Sequence, residues 1–267
     1  MTGWLEIRRG NAPLVVGFPH SGTEIPPELE DRFVSPWLAR KDADWWIDQV
    51  YDFAAELGAT TIRTRISRSV IDVNRDPSGA SLYPGQTTTE LCPSTTFEGE
   101  PLYRGDPPDA AEIERRRATW FDPYHAALAG ELERLRAAHG KVVLYDAHSI
   151  PSRVPRLFDG VLPLFNIGTN HGITCDAALT RAVVDLAAAS GRSHVLDGRF
   201  RGGWTTRHYG RPADGIHAIQ MELAMRGYLA EPARIAPENW PAPLDRSSPL
   251  FSDLRKILAS CIAFARA

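Results

Sequence analysis

The run VVLYDAH, Val142 to His148, constrains this chain most: an apolar stretch that ends on two polar side chains. It reads as a buried strand presenting Asp146 and His148 at its C-terminal end. LVVGF (Leu14 to Phe18), ending in Pro19 and His20, has the same character. TTIRTRI and SVIDV read as two strands or a hairpin, and LPLFNIG, HVLDG and IHAIQMEL as later strands. Helical spacing fills the intervals. Over 42–57, Trp46, Val50, Phe53 and Leu57 share a face, with Asp42 or Asp44 as cap and Gly58 as stop. A second helix spans roughly 109–139 and stops at Gly140, and Asp176 caps a third that ends at Gly191. Ser248 and Pro249 open the last, which carries Leu250, Leu254, Ile257, Leu258 and Ile262. Apolar strands alternating with helices predict an α/β fold whose sheet is covered on both faces. In such folds chemistry gathers at the C-terminal ends of the strands.

The 267 residues suffice for a sizeable core, as one large domain or a domain with an appended lobe. A net charge of -3 gives no electrostatic reason to expect a nucleic acid or an anionic membrane as partner. No apolar run approaches bilayer length, and MTGWLEIRRG does not resemble a secretory signal, so a cytoplasmic location is expected. Cys92, Cys175 and Cys261 are too widely spaced for a disulfide framework or a cysteine cage. Residues 74–108 are crowded with Pro, Gly, Ser and Thr, which suggests a functional loop such as an active-site cover. RGGWTTRHYG reads as a second, glycine-rich loop.

Three polar clusters fall at or just after predicted strands: PHSGTE with His20 and Glu24, YDAHS with Asp146 and His148, and IQMEL with Gln220 and Glu222. Residues i and i+2 of a strand share a face, so Asp146 points with His148, and Gln220 with Glu222. Two histidines and a carboxylate from separate strand ends make a zinc site with a fourth position left for water. Zinc there acidifies water and polarises a carbonyl. A carboxylate off the metal then serves as general base, and Glu222 is the candidate. The His20-xxx-Glu24 spacing is not the helical HExxH pattern, and the plainer reading of each histidine is a hydrogen-bonded loop residue. Arg75, after Asn74 in DVNRD, suits a bidentate grip on a carboxylate, or else pairs at the surface with Asp72 or Asp76. Thr205, Arg207, His208 and Tyr209 offer a second anion contact. Ser21 and Ser149 adjoin histidines but lie in no GxSxG elbow, which argues against a serine nucleophile.

Taken together, FPHSGTEIP (18–26), SRSVIDVNRDPSGASLYPGQ (67–86), LYDAHSIPSRVPRLF (144–158), FNIGTNHG (165–172) and GGWTTRHYGRPADGIHAIQMEL (202–223) resemble the N-formylglutamate deformylase (N-formylglutamate amidohydrolase) family. The resemblance covers most of the chain in consistent order. It implies a three-layer α/β/α fold with a mixed central sheet, similar to zinc exopeptidases. It also implies hydrolysis of N-formyl-L-glutamate to formate and L-glutamate, the last step of one histidine-degradation route. Carried over by position, His20, Glu24 and His148 hold a divalent metal, expected to be zinc. Exopeptidase relatives space the first pair by three residues where this chain has four, so Asp146 is the alternative third ligand, or orients His148 from behind. Asn74 and Arg75 correspond to a pair that grips the substrate carboxylate, with Arg207 and Thr205 as the expected second contact. Glu222 corresponds to the base, with Gln220 in support. Two other readings stay open. One is the same chemistry on another N-acyl amino acid or short peptide. The other is a non-catalytic binder of acidic amino acids, which would have no use for His20, His148 and Glu222 together.

Overall fold

The computed structural model describes residues 3–80, 85 and 88–267. Its strands are β1 (Leu5–Arg8), β2 (Leu14–Phe18), β3 (Thr60–Thr64), β4 (Val142–Ile150), β5 (Phe165–Gly168), β6 (His194–Leu196) and β7 (Ile216–Ala224). They form one sheet in the order β1-β3-β2-β4-β7-β5-β6. β3, β2, β4 and β7 run parallel, while β1 joins β3 and β5 joins β7 antiparallel, so the sheet is mixed.

The two-residue alternation of the strands builds a core on each face. Val143, Tyr145, Ala147, Ile219, Met221 and Leu223 pack with Leu179 and Val183 of helix Ala177–Ala189 and with Leu254 and Leu258 of helix Leu250–Arg266. Val142, Leu144, Ile216 and Ala218 pack instead with Tyr124, Leu128 and Leu132 of helix Asp122–His139. Each fully buried aliphatic side chain contributes about 1.5–3 kcal/mol, so register is strongly specified along β4 and β7. Every residue of both strands is buried. The same parity fixes the polar ends: Asp146, His148, Gln220 and Glu222 share the face covered by helix Asp122–His139. The register pairs Asp146 with Gln220 and His148 with Glu222 across two central parallel strands.

Three expectations are corrected. Residues 42–57 form no continuous helix; a turn of α-helix, Ile47–Val50, is followed by a 3-10 turn, Asp52–Ala55. SVIDV is not a strand: Val70, Ile71 and Val73 are buried, but the backbone turns, with Val70 N–H donating to Ser67 O at 2.9 Å. RGGWTTRHYG holds a short helix, Trp204–Tyr209, rather than being loop throughout. The 109–139 helix is present as Ala110–Arg116 and Asp122–His139, joined by a π-helical turn at Arg117–Phe121. Asp109 caps it by accepting from Glu112 N–H. In the 74–108 loop, residues 81–84, 86 and 87 lie outside the described residues.

Candidate metal centre and active site

The site is assembled on the C-terminal ends of β2, β4 and β7. His20 follows β2 after Pro19, and its carbonyl accepts Asp44 N–H at 2.9 Å. That bond draws the turn between helices Leu38–Lys41 and Ile47–Val50 against the strand end. Trp46, two residues on, adopts φ +64, a left-handed conformation that costs a non-glycine residue about 1–3 kcal/mol and is tolerated mostly where function needs it.

His20, Asp44 and His148, all buried, form a group whose ligand atoms lie within 4.8 Å of one another. The two Nδ1 atoms are 3.2 Å apart. Asp44 Oδ2 is 3.2 Å from His148 Nδ1 and 3.7 Å from His20 Nδ1. Ligands at zinc's usual distances on a tetrahedron are about 3.3–3.4 Å apart, so three vertices are already in place. His20 Nε2–H donates to Asp72 Oδ1 at 2.7 Å, which leaves Nδ1 as the acceptor, and Arg68 Nη1–H donates to it at 3.1 Å. His148 Nε2 lies 3.1 Å from Asp146 Oδ1, a buried oxygen that makes no hydrogen bond among the described residues, and 3.0 Å from Asn74 Nδ2, with which it is hydrogen-bonded. With Nδ1 committed to a ligand, the proton sits on Nε2 and Asp146 Oδ1 becomes its acceptor. Two imidazoles and a carboxylate, each braced from behind, fit a divalent ion.

Electrostatics agree. Burial opposes ionisation of Asp44, but the charges of His20 and His148 overcome it and hold the carboxyl below its usual range. Asp72 behaves alike, against burial, through His20, Arg75 and Arg68. Burial disfavours the His148 cation, yet Asp146 and Asp44 raise its pKa well above the ordinary value, so the surrounding carboxylates favour positive charge at this position. Glu222 is pushed up to about 8, chiefly by burial and despite the attraction of His148. Gln220 Nε2–H donates to its Oε2 at 3.3 Å.

Above this floor lies a pocket lined by His20, Asn74, His148, Gln220 and Glu222, with Arg68, Arg75 and Arg199 as its cations and Phe97, Leu157 and Phe200 as its apolar wall. Thr88 and Thr89 of the 74–108 segment complete one side.

The structure brings together His20, His148, Glu222, Asn74, Arg75, Asp146 and Gln220. Glu24 is elsewhere: its half-exposed carboxylate pairs with Arg65, because the backbone from Glu24 follows Ile66 and carries the side chain outward. Asp44 stands where Glu24 was expected. Arg207 is on helix Trp204–Tyr209 with Nε–H on Gly202 O at 2.9 Å, and does not line the pocket among the described residues. Thr205 is likewise off the pocket; its N–H holds Asn74 Oδ1 at 2.8 Å. Arg75 is neither a surface pair nor wholly open to substrate, since it bonds Thr89 O at 3.0 Å and lies 3.6 Å from the buried Asp72. Asp44, Arg68, Asp72 and Arg199 were not singled out as site residues in the sequence. KDADWW did carry a signal, two carboxylates inside an apolar stretch, where burial demands partners.

Fold and side chains thus define a class: an α/β protein with a histidine–carboxylate centre at its strand ends, beside a buried glutamate, as in metal-assisted hydrolases. The particular family follows from comparison. Residues 12–229 match N-formylglutamate amidohydrolase, and the chain belongs to that family. It is 46% identical over 264 residues to the N-formylglutamate deformylase of Pseudomonas aeruginosa, covering 98% of this chain and 97% of that one. It is also 46% identical over 229 residues to that of Pseudomonas putida, covering 85% of each. The crystal structure of N-formylglutamate amidohydrolase from Ralstonia eutropha JMP134 superposes with a TM-score of 0.77 at 25% identity, covering 98% of this chain and 96% of that one.

Proposed function

We propose that this chain hydrolyses the formamide of N-formyl-L-glutamate to formate and L-glutamate, in the cytoplasm, as the closing step of a histidine-degradation route. The observation that carries the reading is the meeting of His20 Nδ1, His148 Nδ1 and Asp44 beside Glu222, on the floor of an arginine-lined pocket. The names of the relatives support this substrate, as do Arg75 and Arg199 in the pocket, two guanidinium groups for the two carboxylates of a dianion.

His20, Asp44 and His148 would hold the divalent metal, for which zinc suits the donor set. Such an ion supplies Lewis-acid chemistry, acidifying water and polarising a carbonyl. Glu222 takes a proton from the attacking water as the oxygen bonds to the formyl carbon. A pKa raised by burial makes the Glu222 carboxylate a stronger base than an exposed one, and the positive charge of a bound ion would favour its ionised form. Arg68 Nη1, 3.5 Å from Asp44 Oδ1, is placed to donate to the developing oxyanion. As the C–N bond breaks, Glu222 returns its proton to the amine nitrogen, which leaves poorly as an anion. Arg75 and Arg199 bind the carboxylates of the glutamyl part. The 74–108 segment, through Thr89 and Phe97, covers the pocket.

The test is release of the free amino acid by zinc-loaded protein, with formate from N-formyl-L-glutamate and N-formyl-L-leucine and acetate from N-acetyl-L-glutamate measured as the co-products. The reading expects rapid turnover of the first alone. Preference for either of the others would move the assignment to a different acyl amino acid.

A further inference from the structure

The start of helix Trp204–Tyr209 makes three bonds towards the site, each to a group that bears on His148 or Glu222. Gly203 N–H donates to Gln220 Oε1 at 2.6 Å, Thr205 N–H to Asn74 Oδ1 at 2.8 Å, and the Thr206 hydroxyl to Asp146 Oδ2 at 2.8 Å. Gln220 then reaches Glu222, while Asn74 and Asp146 flank His148 Nε2. Two of the three bonds come from the backbone; only Thr206 acts through its side chain. Thr206 and Asp146 both have 0% exposure, so solvent cannot readily replace a lost hydroxyl.

We propose that Thr206 is a positioning residue: its hydroxyl fixes the Asp146 carboxylate so that Oδ1 faces His148 Nε2, which in turn holds His148 Nδ1 towards the metal. The proposal rests on the metal site described above. Asp146 Oδ1 makes no hydrogen bond of its own and lies 3.1 Å from His148 Nε2, so the bond at Oδ2 is what sets the rotation of the carboxylate. A rotated Asp146 leaves the imidazole free to tilt or to adopt the other tautomer through Asn74, and in that tautomer Nδ1 carries a hydrogen and cannot bind metal. The assignment gives RGGWTTRHYG a task different from gripping substrate.

The experiment compares wild type with Thr206→Val, Thr206→Ser and Thr206→Ala, reading zinc affinity by competition with a chromophoric chelator and, separately, the melting temperature of metal-free protein. Valine, equal in shape but without the hydroxyl, should weaken zinc binding about 10- to 100-fold, the range for lost outer-shell partners, while serine restores it. In zinc-saturated protein kcat should fall with KM nearly unchanged, because Thr206 does not line the pocket. A folded valine variant that binds zinc as tightly as wild type overturns the proposal. Should valine fail to fold, equal zinc affinity of the serine and alanine variants overturns it too. Wild type that takes up no zinc defeats the metal site and this proposal together. Wild type that binds zinc without releasing formate defeats only the substrate assignment.

Discussion

Replacing Asp44 by asparagine, with Glu24→Gln as its control, separates the assembled metal centre from the one that sequence adjacency suggests. Asparagine keeps the shape of Asp44 and can still accept Ser149 N–H, which reaches Oδ2 at 3.1 Å, so the turn should hold. What is lost is a charge 3.2 Å from His148 Nδ1, buried to 1% exposure. Breaking a buried charged pair costs about 3–5 kcal/mol, and each 1.4 kcal/mol is tenfold, so zinc affinity should drop between about a hundredfold and a few thousandfold. Glu24 is 45% exposed and paired with Arg65 at 44%. Such a pair contributes about 0–1 kcal/mol, and it touches no metal ligand, so Glu24→Gln should leave zinc affinity and stoichiometry unchanged. Chelator competition on the two purified variants reads both. Loss of metal in Glu24→Gln with retention in Asp44→Asn would refute the assembly.

Glu222→Gln should retain zinc while abolishing formate release; normal turnover would remove Glu222 as base. Its raised pKa also bears on stability in metal-free protein, since the unfolded chain gives up that proton near 4.5 and the folded one near 8. Glu222 therefore contributes stability that is lost as pH rises across that window, so wild type should lose more than Glu222→Gln between its two ends, a difference that denaturant melts would show. Arg199→Ala and Arg75→Ala should each raise KM, by the order of 2–5 kcal/mol per lost charged pair, whereas Arg207→Ala, outside the pocket lining, should change it far less. Gly203→Ala would put a Cβ inside contact distance of the Asn74 amide, which is pinned from two sides. It should lower kcat/KM at a stability cost of about 1–3 kcal/mol; full activity would show that Asn74 can move freely.

Those expectations differ in how far the sequence could reach them. β4 and β7 were legible because an apolar run with i, i+2 polar residues at its end admits few other readings, and register then placed His148 opposite Glu222. Asp44 was not, because its role depends on a long-range event: a bond to His20 O that folds residue 44 under a strand end, with Trp46 left-handed to allow it. Periodicity over 42–57 spoke for a helix and carried no sign of that turn. Glu24 was carried over by position from the resemblance, against a spacing of four residues where three is usual, and proximity in sequence does not fix where a side chain points once the strand has ended. Asp72 and Arg68 were hidden for a related reason. SVIDV has strand-like composition, but the backbone turns there, and Asp72 within it and Arg68 just before it both reach His20.

The most direct test of the whole account is formate release from N-formyl-L-glutamate before and after chelation, followed by restoration of zinc. A centre made by His20, Asp44 and His148 predicts that chelated protein stays folded and falls silent, and that one equivalent of zinc restores turnover in wild type but not in Asp44→Asn. Undiminished formate release from protein shown to be free of metal would contradict it.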